Sequence, residues 1–240
     1  MSVLLLEESQ IFVLESSFYR ILHERGLLER MEYDFVLAAD EFHHKTKFAN
    51  EMWQTDFTYF KVKDWGWYYL SMVIDDYSRY IIHWELCSSV TSDDVSRTID
   101  KAIEKAGVTF RNPHCLLSDN GPCYIASSLK QYLCKEYNIK HIHGKPFHPQ
   151  TQGKIERYHR SMKNVIKLNH HFCPSELEKA IDGWVKYYNE SRFHESLDNL
   201  TPREVYLGQG EKIKRIRETI KQNSINKRIS ENKRMILQHK

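Results

Sequence analysis

Three runs rich in aromatic and β-branched residues follow one another between residues 53 and 86 with little chain between them, and this constrains the fold more than any other feature. Trp53–Val62, Trp67–Asp75 and Tyr80–Leu86 have the composition of strands. The joins are short, the second being a turn at Asp76-Tyr77-Ser78, so the three runs predict an antiparallel meander. The rhythm then changes. A helix is predicted from about Ser92 to Ala106, ended by Gly107, followed by His114–Ser118, a short apolar run of the kind buried in parallel sheets. A helix over 125–137 and a short strand over 139–142 complete a βββ-α-β-α-β order. That order predicts an α/β fold, a mixed five-stranded sheet flanked by helices.

Two further helices are expected over 152–168 and, behind Pro174, over 175–190; the segment from Glu211 predicts a loosely held basic helix. At the head, Ser16-Ser17 offer caps for a helix over Phe18–Arg25 stopped at Gly26. Phe18, Ile21 and Leu22 share one face of it, leaving Tyr19, Arg20, His23 and Arg25 outward. Residues 31–50 are polar and without period, and read as a linker.

Composition excludes several classes. Hydrophobic residues are 41% and aromatic residues 12% of 240, enough for a core, and no apolar run approaches the 18 residues of a membrane span. The head lacks the basic stretch and cleavage site of a secretory signal, so a cytosolic protein is expected. Five cysteines with no Cys-x-x-Cys pair speak against a disulfide framework or a zinc ribbon, and His43-His44 lack the cysteine partners of a zinc module. The formal charge of +3 conceals an asymmetry: residues 1–110 hold 11 basic and 19 acidic side chains, residues 111–240 hold 24 and 13. An acidic front and a basic back suit a bound polyanion, or simply a solvated tail.

Three carboxylates sit awkwardly. Asp56 interrupts the first strand, where a central position would bury it. Asp119 ends the fourth strand in Ser-Asp-Asn-Gly-Pro (118–122), at the carboxyl edge where open α/β sheets place ligands. Glu156 opens the helix after His-Pro-Gln-Thr-Gln-Gly (148–153). Singly, each has a plain structural reading: a solvated strand face, a turn, a solvated helix glutamate. Taken in order they are separated by 62 and then 36 residues.

With these segments in view, the chain resembles the retroviral-integrase superfamily, which includes the DDE transposases of bacterial insertion sequences. Trp-Gln-Thr-Asp-Phe-Thr-Tyr (53–59), Ser-Asp-Asn-Gly-Pro (118–122) and His-Pro-Gln-Thr-Gln-Gly-Lys-Ile-Glu-Arg (148–157) are similar to its three signature segments. Ile-Asp-Asp-Tyr-Ser-Arg-Tyr (74–80), Tyr-Tyr-Asn (187–189), Arg-Phe-His-Glu-Ser-Leu (192–197) and Leu-Thr-Pro-Arg-Glu-Val-Tyr (200–206) resemble transposases of two-reading-frame elements. The last acidic spacing exceeds the family's 35 by one residue.

The resemblance implies an RNase H-like fold in which Asp56 bridges two Mg²⁺ or Mn²⁺ ions while Asp119 and Glu156 each complete one site. Clustered carboxylates repel and need cations, and Mg²⁺ favours such oxygen donors. It further implies cleavage of the 3′ ends of an insertion element by water, then attack of the DNA 3′-hydroxyl on target DNA. Gln152 matches a glutamine that touches DNA in the family. Arg160 and Lys163 share a helix face with Glu156, and Lys154 and Arg157 flank it, so all four are candidates for gripping phosphate. Tyr19 and Arg20 are candidates for major-groove contact if the head is the second half of a helix-turn-helix. The expected organisation is a partial helix-turn-helix-like segment over 1–30, a linker over 31–50, a catalytic core over 51–208 and a basic helical tail over 209–240.

Expected partners are the element's ends and target DNA, a second copy of the chain and a possible product of an upstream frame, with no membrane and a bacterial, nucleoid-associated location. Two rival functions share these residues: another RNase H-like nuclease, and a truncated, inactive copy acting as a DNA-binding regulator. Asp75-Asp76 is expected to be turn chemistry rather than a metal site, and Trp184, Tyr187 and Tyr188 are expected to pack.

Overall fold

A computed structural model describes residues 2–27, 46–107, 115–143 and 153–238. The meander forms as expected. β1 (Met52–Val62) pairs antiparallel with β2 (Gly66–Asp75), which pairs antiparallel with β3 (Ile81–Cys87). The first turn is tight, with Asp64 and Gly66 both at positive φ, where glycine is at ease. At the second, the Asp75 carboxylate accepts from the Ser78 N–H (2.8 Å) and hydroxyl (2.6 Å), and from the Asn50 N–H (2.7 Å). Asp76 accepts from Gln54 (2.6 Å), Thr46 (2.6 Å) and Lys154 (2.7 Å). Both aspartates are thus consumed by structure, Asp75 by the predicted turn chemistry and Asp76 by side chains from outside the turn.

Helix α3 (Ser92–Ala106) begins at a capping box in which Thr91 and Asp94 exchange hydrogen bonds, and it ends at Gly107 with φ 61°. It returns the chain to β4 (Cys115–Ser118), parallel to β1. Helices α4 (Pro122–Ile125) and α5 (Ser127–Tyr137) then lead to β5 (Lys140–His143), parallel to β4. The helix expected over 125–137 forms as α5, two residues later, and a short helix that was not expected, α4, precedes it across Ala126. The sheet order is β3-β2-β1-β4-β5, the predicted mixed five-stranded sheet.

Strand alternation divides the core. Phe60, Val62, Leu70, Met72 and Ile74 face helices α6 (Gly153–Ile166) and α7 (Pro174–Glu190), which contribute Ile155, Met162, Leu177 and Ile181. Trp53, Val73 and Leu116 face the other way, onto Val95 and Ile99 of α3 and Leu129 and Leu133 of α5. Tyr188 packs edge-on against Tyr158 at 4.7 Å, whereas Tyr187 is 49% exposed. A short 3-10 turn (Glu195–Leu197) and helix α8 (Pro202–Tyr206) close this unit, which spans residues 38–207. The expected linker over 31–50 lies mostly outside the described residues, as do His43 and His44.

The remaining unit joins the head to the tail. Its helices are α1 (Ser2–Ser9), α2 (Glu15–Glu24) and α9 (Gly210–Gln238). The Arg217 guanidinium donates to Glu7 (2.8 Å), the Phe12 N–H to the Ser224 hydroxyl (3.2 Å), and Arg228 to the Phe12 carbonyl (2.7 Å). Helix α2 departs from expectation at its start. It opens at Glu15, and Leu14 stands at the cap with no side-chain bond, so Ser16 and Ser17 lie inside the first turn. Glu15 supplies instead the negative charge that a helix N-terminus favours. The expected apolar face is also only half covered: Phe18 and Leu22 are partly buried, but Ile21 is 46% exposed. Among the described residues no helix is long and apolar enough to cross a membrane.

Candidate active site

The backbone itself brings two acids to neighbouring strands. Met52, Trp53 and Gln54 of β1 lie opposite Cys115, Leu116 and Leu117 of β4. The paired ladder ends there; carried two residues further, the same register sets Asp56 beside Asp119, close enough for the charge of one to act on the other. Alternation puts both on the side of the sheet that faces α6.

Each is held locally. Asp56 is 20% exposed; its Oδ1 accepts from the Phe57 N–H (2.8 Å), and its Oδ2 lies 3.3 Å from His159 Nδ1 of α6. Asp119 accepts from the Gly121 N–H (2.9 Å). A Cβ at Gly121 would stand 3.0 Å from Asp119 Oδ1, so glycine is what lets the loop fold this close to the carboxylate. Although Asp119 reaches solvent, partial burial pushes its pKa above the usual carboxylate value. The charge on Asp56 pushes the same way, against the Gly121 N–H and His143. Beneath the pair, Tyr124 is 1% exposed and its hydroxyl lies 3.4 Å from the Thr55 hydroxyl.

Glu156 is not drawn in. It is exposed in the first turn of α6, three residues before His159 on the adjoining helix face. Among the described residues no three His, Cys, Asp or Glu side chains gather closely enough to hold a metal ion together. The donor set nonetheless suits a hard divalent cation: two neighbouring carboxylates, one with its pKa raised by burial and by the other's charge, gain from an ion that neutralises them.

The basic candidates separate by position. Lys163 lies near Asp56 and caps the Tyr59 ring at 4.5 Å; partial burial, together with Lys167, lowers its pKa, while Asp56 pulls it back up. Arg160, on the same face, is exposed. Lys154 is tied to Asp76 Oδ2 (2.7 Å) and to the Asp76 carbonyl (2.9 Å), a structural ion pair. Arg157 is exposed on the opposite side of α6. Tyr19 and Arg20 are exposed on α2, with Tyr19 stacked on His23. Gln152 lies outside the described residues. The sequence reading missed His159, an α6 side chain in polar contact with Asp56; the three-residue step from Glu156 puts it on the same flank without marking it as a partner of the strand.

The fold is that of an RNase H-like core, and the comparisons agree. Two family models, each described as an integrase core domain, match residues 47–149 and 137–202. The insertion element IS136 protein of Agrobacterium fabrum is 29% identical over 140 residues, covering 56% of this chain and 71% of that protein. The Gag-Pro-Pol polyprotein of squirrel monkey retrovirus is 29% identical over 121 residues, covering 49% of this chain but only 6% of the polyprotein. The catalytic core domain of BIV integrase superposes with a TM-score of 0.51 at 26% identity, covering 68% of this chain and 97% of that one. Together the two matches run over residues 47–202, and this part of the chain is similar to integrase core domains.

Proposed function

We propose that the protein cuts the 3′ ends of an insertion element and joins them to target DNA, with Asp56, Asp119 and Glu156 as the metal-binding carboxylates. The observation that chiefly supports this is the shared register of Asp56, within β1, and Asp119, just past the end of the parallel strand β4, on the sheet face covered by the helix that carries Glu156. When bound, a pair of Mg²⁺ or Mn²⁺ ions supplies Lewis acidity for an in-line phosphoryl displacement.

The chain's own side chains do the rest. Asp56 is oriented from both oxygens, by the Phe57 N–H and by His159. Gly121 keeps the approach to Asp119 open. Lys163, close to Asp56, offers a cation to the phosphate being transferred. Glu156 rides on the same helix as His159, one helical turn before it.

Within this reading residues 51–208 are the catalytic core and 209–240 a basic helical tail. The enzyme acts as a multimer on paired ends, at the nucleoid of a bacterial cytoplasm. Asp56→Asn, Asp119→Asn and Glu156→Gln should each abolish strand joining while leaving DNA affinity nearly unchanged. Gel analysis of labelled end-sequence oligonucleotides with Mn²⁺ measures this. Substantial joining by any one variant removes that residue from the centre, and nicks without joined products from the unaltered protein would point to a nuclease instead.

A further inference from the structure

Helix α6 has a second working face. Glu156, His159, Arg160 and Lys163 line one side; Lys154, Arg157, Tyr158 and Ser161 recur at helical spacing on the other. This second side forms one wall of a cavity of about 90 Å³, several times the ~15 Å³ that a single water requires. The opposite walls bring Arg79 from the β2–β3 turn and Arg192 and His194 from the chain after α7. Four basic side chains therefore meet here, and no carboxylate is among the lining groups.

Their charges are unequally engaged. Lys154 is paired with Asp76, and Arg79 donates to the Ser196 hydroxyl. Arg192 lies over the rings of Trp184 (5.8 Å) and Tyr188 (5.7 Å), a face contact that uses none of its N–H donors. His194 Nε2 is buried with no hydrogen-bond partner among the described residues. Tyr158 is 2% exposed, and its hydroxyl completes no bond, the Trp184 indole N–H lying near it without reaching bonding geometry. Burial, with the charges of Arg192 and Arg79, lowers the pKa of His194 to about 4, so the imidazole is neutral at pH 7 and able to donate one N–H. A half-closed cavity with excess positive charge, a guanidinium fork and unpaired neutral donors is matched by a tetrahedral oxyanion.

We infer that this cavity binds a phosphate group, and that its occupant is a backbone phosphate of the DNA handled at the carboxylates on the far side of α6. The choice of DNA as the source rests on the proposed function. A helix is about 10–12 Å across, roughly three base steps at ~3.4 Å each, so one duplex can span both faces.

The test uses the full chain and duplex DNA, with affinity read by fluorescence anisotropy over a range of salt concentrations. The double variant Arg157→Ala/Arg192→Ala should bind severalfold more weakly at fixed salt, and the slope of log affinity against log salt should fall by about 1 per lost contact. Arg192→Lys, which keeps the charge but not the fork, should fall between. Should loss of the Arg192 stack unfold the protein, exposed Arg157→Glu with Ser161→Asp tests the same cavity. Inorganic phosphate, the second probe, should raise the melting temperature of the unaltered protein and not of the variants. Unchanged affinity and slope in every variant, with a phosphate response that is absent or equal in all, overturn the inference. A phosphate response lost in the variants with DNA binding intact overturns the DNA assignment in favour of a small phosphate ligand. If the unaltered protein joins no strands yet the salt slopes differ as stated, the phosphate site stands and the strand-transfer reading falls; if strands are joined and the slopes are equal, the reverse holds.

Discussion

Asp119 carries opposing influences: the Gly121 N–H steadies its charge, while burial and Asp56 resist it, and the net effect is a raised pKa. The sign has a thermodynamic consequence. A carboxyl that binds its proton more tightly when folded adds stability below its unfolded pKa, and that contribution is lost as the pH rises through the folded value. At neutral pH without metal the ionised pair therefore weakens the fold, and a divalent cation should repair it. Thermal unfolding at pH 7 should show Asp119→Asn melting above the unaltered protein in chelator, and Mn²⁺ raising the melting temperature of the unaltered protein only. The Mn²⁺ effect should fade as the pH is lowered toward the raised pKa; a variant as responsive to Mn²⁺ as the parent would contradict this. At this scale Asp56 and Asp119 were legible because aspartate is out of place in one strand and at the end of another. His159 was not, since a helix histidine carries no mark of the strand residue it will meet.

Helix α6 has the most demanding role of any element, with three distinct sides. Ile155, Met162 and Ile166 are buried against the sheet, one flank carries Glu156 and Lys163, and the other lines the basic cavity. Ile155, fully buried beside Glu156, ties the catalytic flank to the core. Ile155→Ala should cost about 3 kcal/mol by transfer and cavity effects; denaturant unfolding measures it, and joining activity should fall because the first turn loses its anchor. The periodicity that revealed α6 also revealed α3, α5 and α7 and the strands, because each buries one regular face. What periodicity did not give was the entry to α2, where a leucine replaces the expected serine cap, or the break at Ala126 between α4 and α5. Both are decided by local backbone geometry rather than by burial.

Across the whole chain, the sheet and its covering helices form one unit over residues 38–207, while α1, α2 and α9 form another. Each has its own internal contacts, so a fragment of residues 38–207 should fold alone and unfold in one cooperative transition, as measured by calorimetry and circular dichroism. A non-cooperative melt would show that the head and tail are needed for the core. The same fragment lacks the ten basic residues of the last thirty, and its DNA binding should be less sensitive to salt. The grouping of head with tail was not readable from the sequence, because the pairings that make it, Glu7 with Arg217 and Phe12 with Ser224 and Arg228, join residues more than two hundred positions apart. The charge asymmetry was readable, and it falls where the long helix α9 displays it.

The alignment of β1 with β4 has a consequence for how such a centre can change over evolutionary time. The placing of Asp56 opposite Asp119 follows from the register of the paired residues just before them, and shifting one strand by a single residue would turn one carboxylate through to the opposite surface. Main-chain bonding thus acts as a fixed ruler for the ion-binding oxygens. Flanking side chains remain free to diversify without disturbing that measure.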